Sequence, residues 1–360
     1  KLTAEEANKE LERLSSTFSN KNISLKDKED LLRGIIERLD VSTHGSTTVL
    51  YSGSIEIELG SHGRGTGHLV NELKNNANIR LLDNTEACKF LDLNVDSGNN
   101  TLVDALRAIF GDDPRDEGTK ANQFLYGNNT TPRTANGAWD IISRNFAKGA
   151  SGNVVAIVPF AQADRVFGAT ELKELLNNSN VTSINGIDKE ALLSLSKNFP
   201  PTAKDIERIF NTIKFTSRYQ MVASGLISLD IEGNNIKHKL HTENNVRKEF
   251  LKSTSMNLDD YLKIKTDGSK AITRYMGNLK KVNEKEYHNI NQVIKDIEHN
   301  IKLIETPGKP SVKGKIAKAF AGLAAVAGII GFIMEAHEAA KIAEEEGSEA
   351  SKKYIKKWAS

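Results

Sequence analysis

The sequence predicts an α+β protein. N-terminal helices come first, then a small, mostly parallel sheet with crossover helices, then a hairpin and a helical C-terminal region. Three patterns carry this prediction. Residues 1–39 hold two amphipathic helical repeats. Two apolar runs, VVAIVP (154–159) and VTSINGI (181–187), are each followed by a helical stretch, the alternation that builds parallel strands with right-handed crossovers. A hairpin-like pair, 226–231 and 236–240 around GNN, then gives way to helices.

In chain order, the first helix is expected over 3–16 and the second over 25–39, with Ser24 as the candidate cap of the second. TTVLYSGSIEIEL (47–59) reads as a strand, because Ile55, Ile57 and Leu59 alternate with Glu56 and Glu58. The glycine-rich GSHGRGTGH (60–68) leads into a helix over 69–75. Residues 82–93 and 102–110 read as short helices, and 111–134 as turns. Asn136 is the expected cap of a helix over 137–148, whose first turn carries Asp140, an acid suited to the positive helix end. Residues 154–159 are continuously apolar, as strands buried on both faces are. A helix over 171–176, a second buried strand over 181–187 and a helix over 188–195 capped by Asp188 complete the sheet region.

The character changes at Pro200 and Pro201, which divides the chain into 1–199, a hairpin-plus-helix region over 200–306, and 307–360. Ile290, Ile294, Ile297, Ile301 and Ile304 are spaced like a and d positions and predict an intramolecular helix seam. After the prolines at 307 and 310, AFAGLAAVAGIIGFIM (319–334) runs without a charge. As a helix it would reach about 24 Å at ~1.5 Å per residue, short of a hydrocarbon core of ~30 Å. It reads as a buried helix or as a segment that contacts a membrane or partner. With the basic KKYIKKW (352–358) beside it, 319–358 is the candidate membrane contact.

Bulk properties exclude several classes. Lys and Arg number 49 against 47 Asp and Glu, a net charge of +2, so no electrostatic footprint for nucleic acid is present. Cys88 stands alone, which precludes an intrachain disulfide and a cysteine-based metal site and suits a reducing compartment or a bridge-free secreted protein. Residues 1–14 are charged and helix-like rather than a secretory signal, and the absence of an initiating methionine suggests a trimmed chain. The expected location is the cytoplasm, or delivery into a target cell without a signal peptide of the usual kind. The eight histidines lack metal-ligand spacing, MEAHEAA around His337 is not HExxH, and no GxSxG or P-loop occurs. Gly63, Gly65 and Gly67 follow a strand, and Asp83 lies about twenty residues on as a ribose acid would. The third glycine comes one residue early for a dinucleotide fingerprint and no βαβ unit surrounds the loop. No metal and no cofactor are expected.

The helix over 137–148 is more specific. Trp139, Ile142, Ser143 and Phe146 share one face. Such a stripe is usually core, yet a buried hydroxyl needs a partner. AWDIISRNFAKGASGNVVAIVPFAQADRVF (138–167) resembles the region of the ADP-ribosyl cyclase / NAD glycohydrolase family in which a tryptophan-bearing helix with Ser-Arg-x-Phe-Ala precedes a strand and a loop ending in phenylalanine. VLYSGSI (49–55) is similar to its Leu-Trp-Ser-Gly segment, with Tyr51 in place of the nicotinamide-stacking tryptophan and Ser52 beside it. LLDNT (81–85) is similar to its Leu-Glu-Asp-Thr segment, with Asp83 and Asn84 at the acidic positions. The resemblance covers roughly 45–195.

It implies a cyclase-like fold with a nicotinamide-nucleotide cleft, and cleavage of the nicotinamide–ribose bond of NAD, which is substrate rather than cofactor. Matching strand to strand puts Thr182 on the family's catalytic glutamate; matching FGATEL (167–172) to Phe-Gly-Ser-Val-Glu-Val puts Glu171 there, with Glu174 next. In this reading Trp139 and Tyr51 grip nicotinamide, Ser143 holds phosphate or ribose oxygens, and Asp83 tunes the leaving base. Asn84, Ser52, Arg144 and Phe167 complete the binding set. A bridge-free relative with added C-terminal regions fits a bacterial toxin or secreted effector, with a host protein or a cognate inhibitor as further partners. Two rivals are an ADP-ribosyltransferase using 200–300 as its target surface, and a non-catalytic protein acting through 319–358.

Overall fold

The computed structural model describes residues 1–55, 64–65, 70, 73–94, 100–128, 134–233, 235–241, 243–256 and 258–304. The expected helix over 69–75 is described only in part, with Val70 and Leu73 helical. The glycine loop apart from Arg64 and Gly65, and the apolar and basic segments beyond 304, lie outside the described residues.

The strands are β1 (Thr47–Tyr51), β2 (Ser54–Ile55), β3 (Arg64–Gly65), β4 (Ile79–Arg80), β5 (Gly152–Ile157), β6 (Val181–Ile184), β7 (Ile187–Asp188), β8 (Ile227–Glu232) and β9 (Asn235–Leu240). The helices before β5 are α1 (Ala4–Arg13), α2 (Ser15–Ser19), α3 (Leu25–Glu37), α4 (Glu86–Leu91), α5 (Asn100–Phe110), α6 (Lys120–Tyr126) and α7 (Ala138–Lys148). Those after it are α8 (Leu172–Asn177), α9 (Lys189–Ser194), α10 (Ala203–Ala223), α11 (Asn244–Ser255), α12 (Leu258–Ile264), α13 (Gly268–Val282) and α14 (Glu284–Ile304). The protein is α+β, with one mostly parallel five-stranded sheet in the order β4-β1-β5-β6-β7 and a separate antiparallel hairpin, β8-β9. Among the described residues no helix is long and apolar enough to cross a membrane.

Two compact units interleave along the chain. The first comprises Lys1–Ser52, Val70–Gly152 and Gln162–Asn180; the second comprises Gly53–Leu69, Asn153–Ala161 and Val181–Ser360. In the first unit α7 is the central helix, packed against α3, α4, α6 and α8. Ala138, Ile142, Phe146 and Ala147 are sealed inside it. A capping box between Thr3 and Glu6 starts α1, and Ser24 accepts the Asp27 amide at 3.1 Å to start α3, as expected. In the second unit α10 is buried on nearly all sides and packs against α11, α12, α13, α14 and β8.

Several boundaries differ from the expectation, each for a local reason. The strand expected over 47–59 breaks after Tyr51, where Gly53 takes φ +85°, open to glycine but not to a branched residue. Thr85 splits the helix expected over 82–93: its hydroxyl accepts the Cys88 amide at 3.1 Å and caps α4, leaving a 3₁₀ turn, Leu82–Asn84, before it. Within the supposed turn region Thr119 caps α6, whose Ala121, Phe124 and Leu125 are buried. The cap position of α7 is Gly137 rather than Asn136. The strand expected over 181–187 is a tight hairpin, because Asn185 (φ 50°) and Gly186 (φ 76°) turn β6 back into antiparallel β7. The buried Asn185 amide group replaces a strand neighbour, accepting from Ala156 N–H at 2.8 Å and donating to Ala156 O at 2.9 Å. Asp188 occupies the cap position of α9 without a capping bond. The 21-residue α10 has no counterpart in the sequence reading, since its buried face carries Thr212, Thr216, Ser217, Arg218 and Gln220.

Candidate active site

In the first unit β1 and β4 pair in parallel, Thr47 opposite Ile79 and Thr48 opposite Arg80. Their C-terminal ends therefore lie side by side. Tyr51 closes β1, and the 3₁₀ turn after β4 carries Asp83. The Tyr51 hydroxyl donates to the Asp83 carboxylate, 2.9 Å from both oxygens. Burial pushes the phenol pKa well above its ordinary value; the Asp83 charge and hydrogen bond, then Cys88 and Glu171, push it the same way. Tyr51 is thus a fixed neutral donor. The Cys88 thiol is raised to about 12 by burial and then by Asp83 and Asp92, so it is no nucleophile at neutral pH.

Glu171 ends a π-helical turn, Phe167–Glu171, that runs into α8. Such turns are rare and cluster at functional sites. Gly168 permits this one: a Cβ there would stand 2.4 Å from the Ala163 carbonyl oxygen, backbone that cannot swing aside. Phe167 anchors the turn, fully buried. Thr170 Oγ1 donates to Asp140 Oδ1 at 3.0 Å, and Asp140 Oδ2 accepts the Gly137 amide at 3.0 Å. One buried carboxylate thereby ties the start of α7 to the turn. Gly168→Ala is expected to cost about 2 kcal/mol or more and to disturb the Glu171 environment. Urea denaturation and the pH titration of Glu171 check this, and an unchanged stability and titration would show that the turn tolerates a side chain.

Glu171 is 3 % exposed. Its pKa is raised to about 8, first by burial and then by the negative charge of Asp140. A carboxyl in this state holds its proton at neutral pH and gives it up when a cation arrives beside it. Perturbed acids of this kind gather at functional sites.

The other expected site residues fall into separate settings. Trp139 is half-buried on α7, and its indole N–H faces the Tyr126 hydroxyl without reaching hydrogen-bond geometry. Ser143 lies buried on the same helix, and Ser52 is buried just after β1. Arg144 pairs with Glu174 at 3.8 Å in a half-exposed ion pair and donates to Ala135 O at 3.4 Å. Glu174 is thus half-exposed and ion-paired, whereas Glu171 is buried. Asn84 donates to Lys74 O at 3.0 Å and braces a loop. Thr182 is exposed on β6.

Tyr51 therefore lies within the fields of both Asp83 and Glu171. No hydrogen bond or ring contact joins Trp139 to Tyr51 among the described residues. Asp140 and Thr170 are the residues that sequence reasoning passed over as site members. Asp140 was legible only as an acid in a first helical turn, and nothing in the sequence marked Thr170. Two cavities, of about 610 and 670 Å³, lie elsewhere, lined by neither Glu171 nor Trp139. Among the described residues no group of three His, Cys, Asp or Glu side chains could hold a metal ion. No protein-family model, no curated protein and no solved structure matches the chain.

Proposed function

We propose that the chain is an NAD-cleaving enzyme, a glycohydrolase or cyclase of the ADP-ribosyl cyclase type, that breaks the bond between nicotinamide and ribose. The observation that carries this reading is the convergence of Tyr51, hydrogen-bonded to Asp83, with the buried, proton-holding Glu171. Tyr51 and Asp83 lie in two of the three segments that resemble that family, and Glu171 follows the third, which ends at Phe167. In NAD the ring nitrogen bound to ribose is cationic. Placing that cation against Glu171 favours the carboxylate, so substrate binding is coupled to release of the Glu171 proton. The carbon–nitrogen bond then breaks with its electron pair moving to the ring nitrogen, which neutralises nicotinamide. The ribosyl carbon passes through an oxocarbenium-like state that the Glu171 carboxylate stabilises electrostatically. Water captures the carbon and loses a proton to give ADP-ribose, or adenine N1 captures it to give the cyclic product. Tyr51 and Asp83 orient the departing base, and Trp139 offers an aromatic face for stacking.

The test is incubation of the full chain with NAD while nicotinamide, ADP-ribose and cyclic ADP-ribose are quantified. Nicotinamide release is expected. NAD left intact over hours at micromolar enzyme overturns the reading, and ADP-ribose appearing only as a label on protein replaces it with a transferase. In the free enzyme kcat/KM should rise with pH through a value near 8, because the carboxylate is the working form. Asp140→Asn removes the neighbouring negative charge, so the inflection should move to lower pH while staying above 4.5, since burial remains the larger cause. An inflection that does not move between wild type and Asp140→Asn would assign the titration to another group.

A further inference from the structure

The cavity of about 610 Å³ in the first unit is lined by Arg80, Lys1, Lys148, Ser46 and Ser151, with Glu37 as its one acid. It sits at the C-terminal end of α7, whereas Asp140 and the Glu171 turn meet the N-terminal end. Arg80 is only 9 % exposed, and its guanidinium lies 3.8 Å from the centroid of the Phe146 ring. Nη1 donates to Thr48 Oγ1 at 3.2 Å and to Phe146 O at 3.0 Å. The second bond caps the negative end of α7, a structural duty in its own right.

That duty uses one nitrogen. Nε and Nη2 have no acceptor among the described residues, and no carboxylate pairs with the guanidinium. Glu37, the acid in the wall, accepts instead from Asn145 Nδ2 at 3.1 Å. Burial alone lowers the Arg80 pKa, to about 10, with no compensating charge. Nη2 reaches the wall at Gly149, where a Cβ would stand 2.6 Å from it. A nine-tenths buried cation with an unused edge of its fork therefore faces a polar cavity, and a second cation, Lys148, is exposed at the rim.

We propose that this cavity is a second ligand site that binds the phosphate group of a phosphorylated small molecule, with Arg80 as the buried anchor and Lys148 as the rim cation. The Nε–Nη2 edge of a guanidinium matches two oxygens of a phosphate in a bidentate pair, which a single-point cation cannot do. A phosphate dianion calls for more than one positive charge, and Lys148 supplies the second. The volume is that of a nucleotide-sized pocket, larger than bare phosphate needs. The site is independent of the Glu171 chemistry.

The experiment is calorimetric titration of the full chain with inorganic phosphate and, separately, with a nucleoside 5′-monophosphate lacking nicotinamide. Saturable binding of at least one is expected. Tighter binding of the nucleotide identifies a phosphorylated metabolite as the ligand, and binding of phosphate alone identifies the free anion. Lys148→Glu and Ser151→Glu change exposed rim positions, so they spare the fold, and each should weaken binding about tenfold or more. Arg80→Lys keeps the charge without the fork and should also weaken it, with circular dichroism confirming a folded chain. Glu171→Gln should bind as wild type does. Absence of saturable binding to both probes overturns the proposal, as does binding that survives both Lys148→Glu and Ser151→Glu undiminished.

Discussion

Glu171→Gln is expected to lower the rate of NAD cleavage by about 10²–10⁴-fold while sparing the folded protein a loss of stability that wild type suffers as pH rises. Glutamine keeps the size and neutrality of the protonated acid, so the fold should accept it. It cannot ionise, and so it cannot meet a cationic ribosyl carbon. The stability effect follows from the proton balance. The Glu171 pKa is raised from 4.5 to about 8 by folding, with burial the larger cause. At pH below about 4.5 both the folded and the unfolded chain hold the proton, and wild type and variant should differ little. Between about 4.5 and about 8 the unfolded chain has lost the proton and the folded chain has kept it. Wild-type stability then falls relative to the variant by about 1.4 kcal/mol per pH unit. Above about 8 both states are ionised and the gap stops growing. Urea midpoints of the two proteins from pH 4 to pH 9 measure this directly. A variant that matches wild type in stability at every pH would show that Glu171 is not buried as an acid. A variant that keeps full activity would remove it from the chemistry, whatever its pKa.

Phe146→Ala is the substitution expected to cost most stability in the first unit. The ring is completely buried on α7, the helix that packs against α3, α4, α6 and α8. Emptying such a site costs about 3–5 kcal/mol for phenylalanine. Here it also takes the aromatic face from under the Arg80 guanidinium, 3.8 Å from the ring centroid, a contact worth about 1–2 kcal/mol when desolvated. Phe146→Leu restores most of the volume but not the face, so its cost should fall well below that of alanine without vanishing. Chemical denaturation reads both, provided the slope against denaturant is unchanged. A cost below about 1 kcal/mol for Phe146→Ala would show that α7 is not the centre of this unit.

Much of the fold was legible because it is written in short-range patterns. Ser24 caps α3, the isoleucine spacing marks α14, and β8 and β9 pair as a hairpin up to Glu232 opposite Asn235, each set by residues within a few positions of one another. Misplaced boundaries came from single residues whose local chemistry outweighed a longer pattern. Thr85 offers its hydroxyl to the Cys88 amide and starts a helix where the apolar periodicity runs straight through. Asn185 and Gly186 adopt positive φ and fold an apolar run back on itself. α10 was invisible for the opposite reason: its buried polar residues find partners far along the chain, as Gln220 does in the carbonyls of Asn185 and Ser253 at 2.9 and 3.0 Å, and no local window reports them.

The candidate site divides in the same way. The sequence by itself determined which residues stand in order along the chain: Tyr51 at the end of a strand, Asp83 after the next, Trp139 and Ser143 on one helix face, Glu171 or Glu174 beyond Phe167. It also determined, from a single cysteine and a net charge of +2, that these residues can form no disulfide among themselves and carry no large excess of basic charge. Only the tertiary structure gives the two glutamates different surroundings. Arg144 draws Glu174 into a half-exposed ion pair, while the π-helical turn permitted by Gly168 carries Glu171 into the interior beside Asp140. Local sequence fixes backbone conformation and cap chemistry over a few residues. The protonation state of a carboxyl depends on which charges and how much water surround it in space, and those neighbours arrive from elements thirty or more positions away.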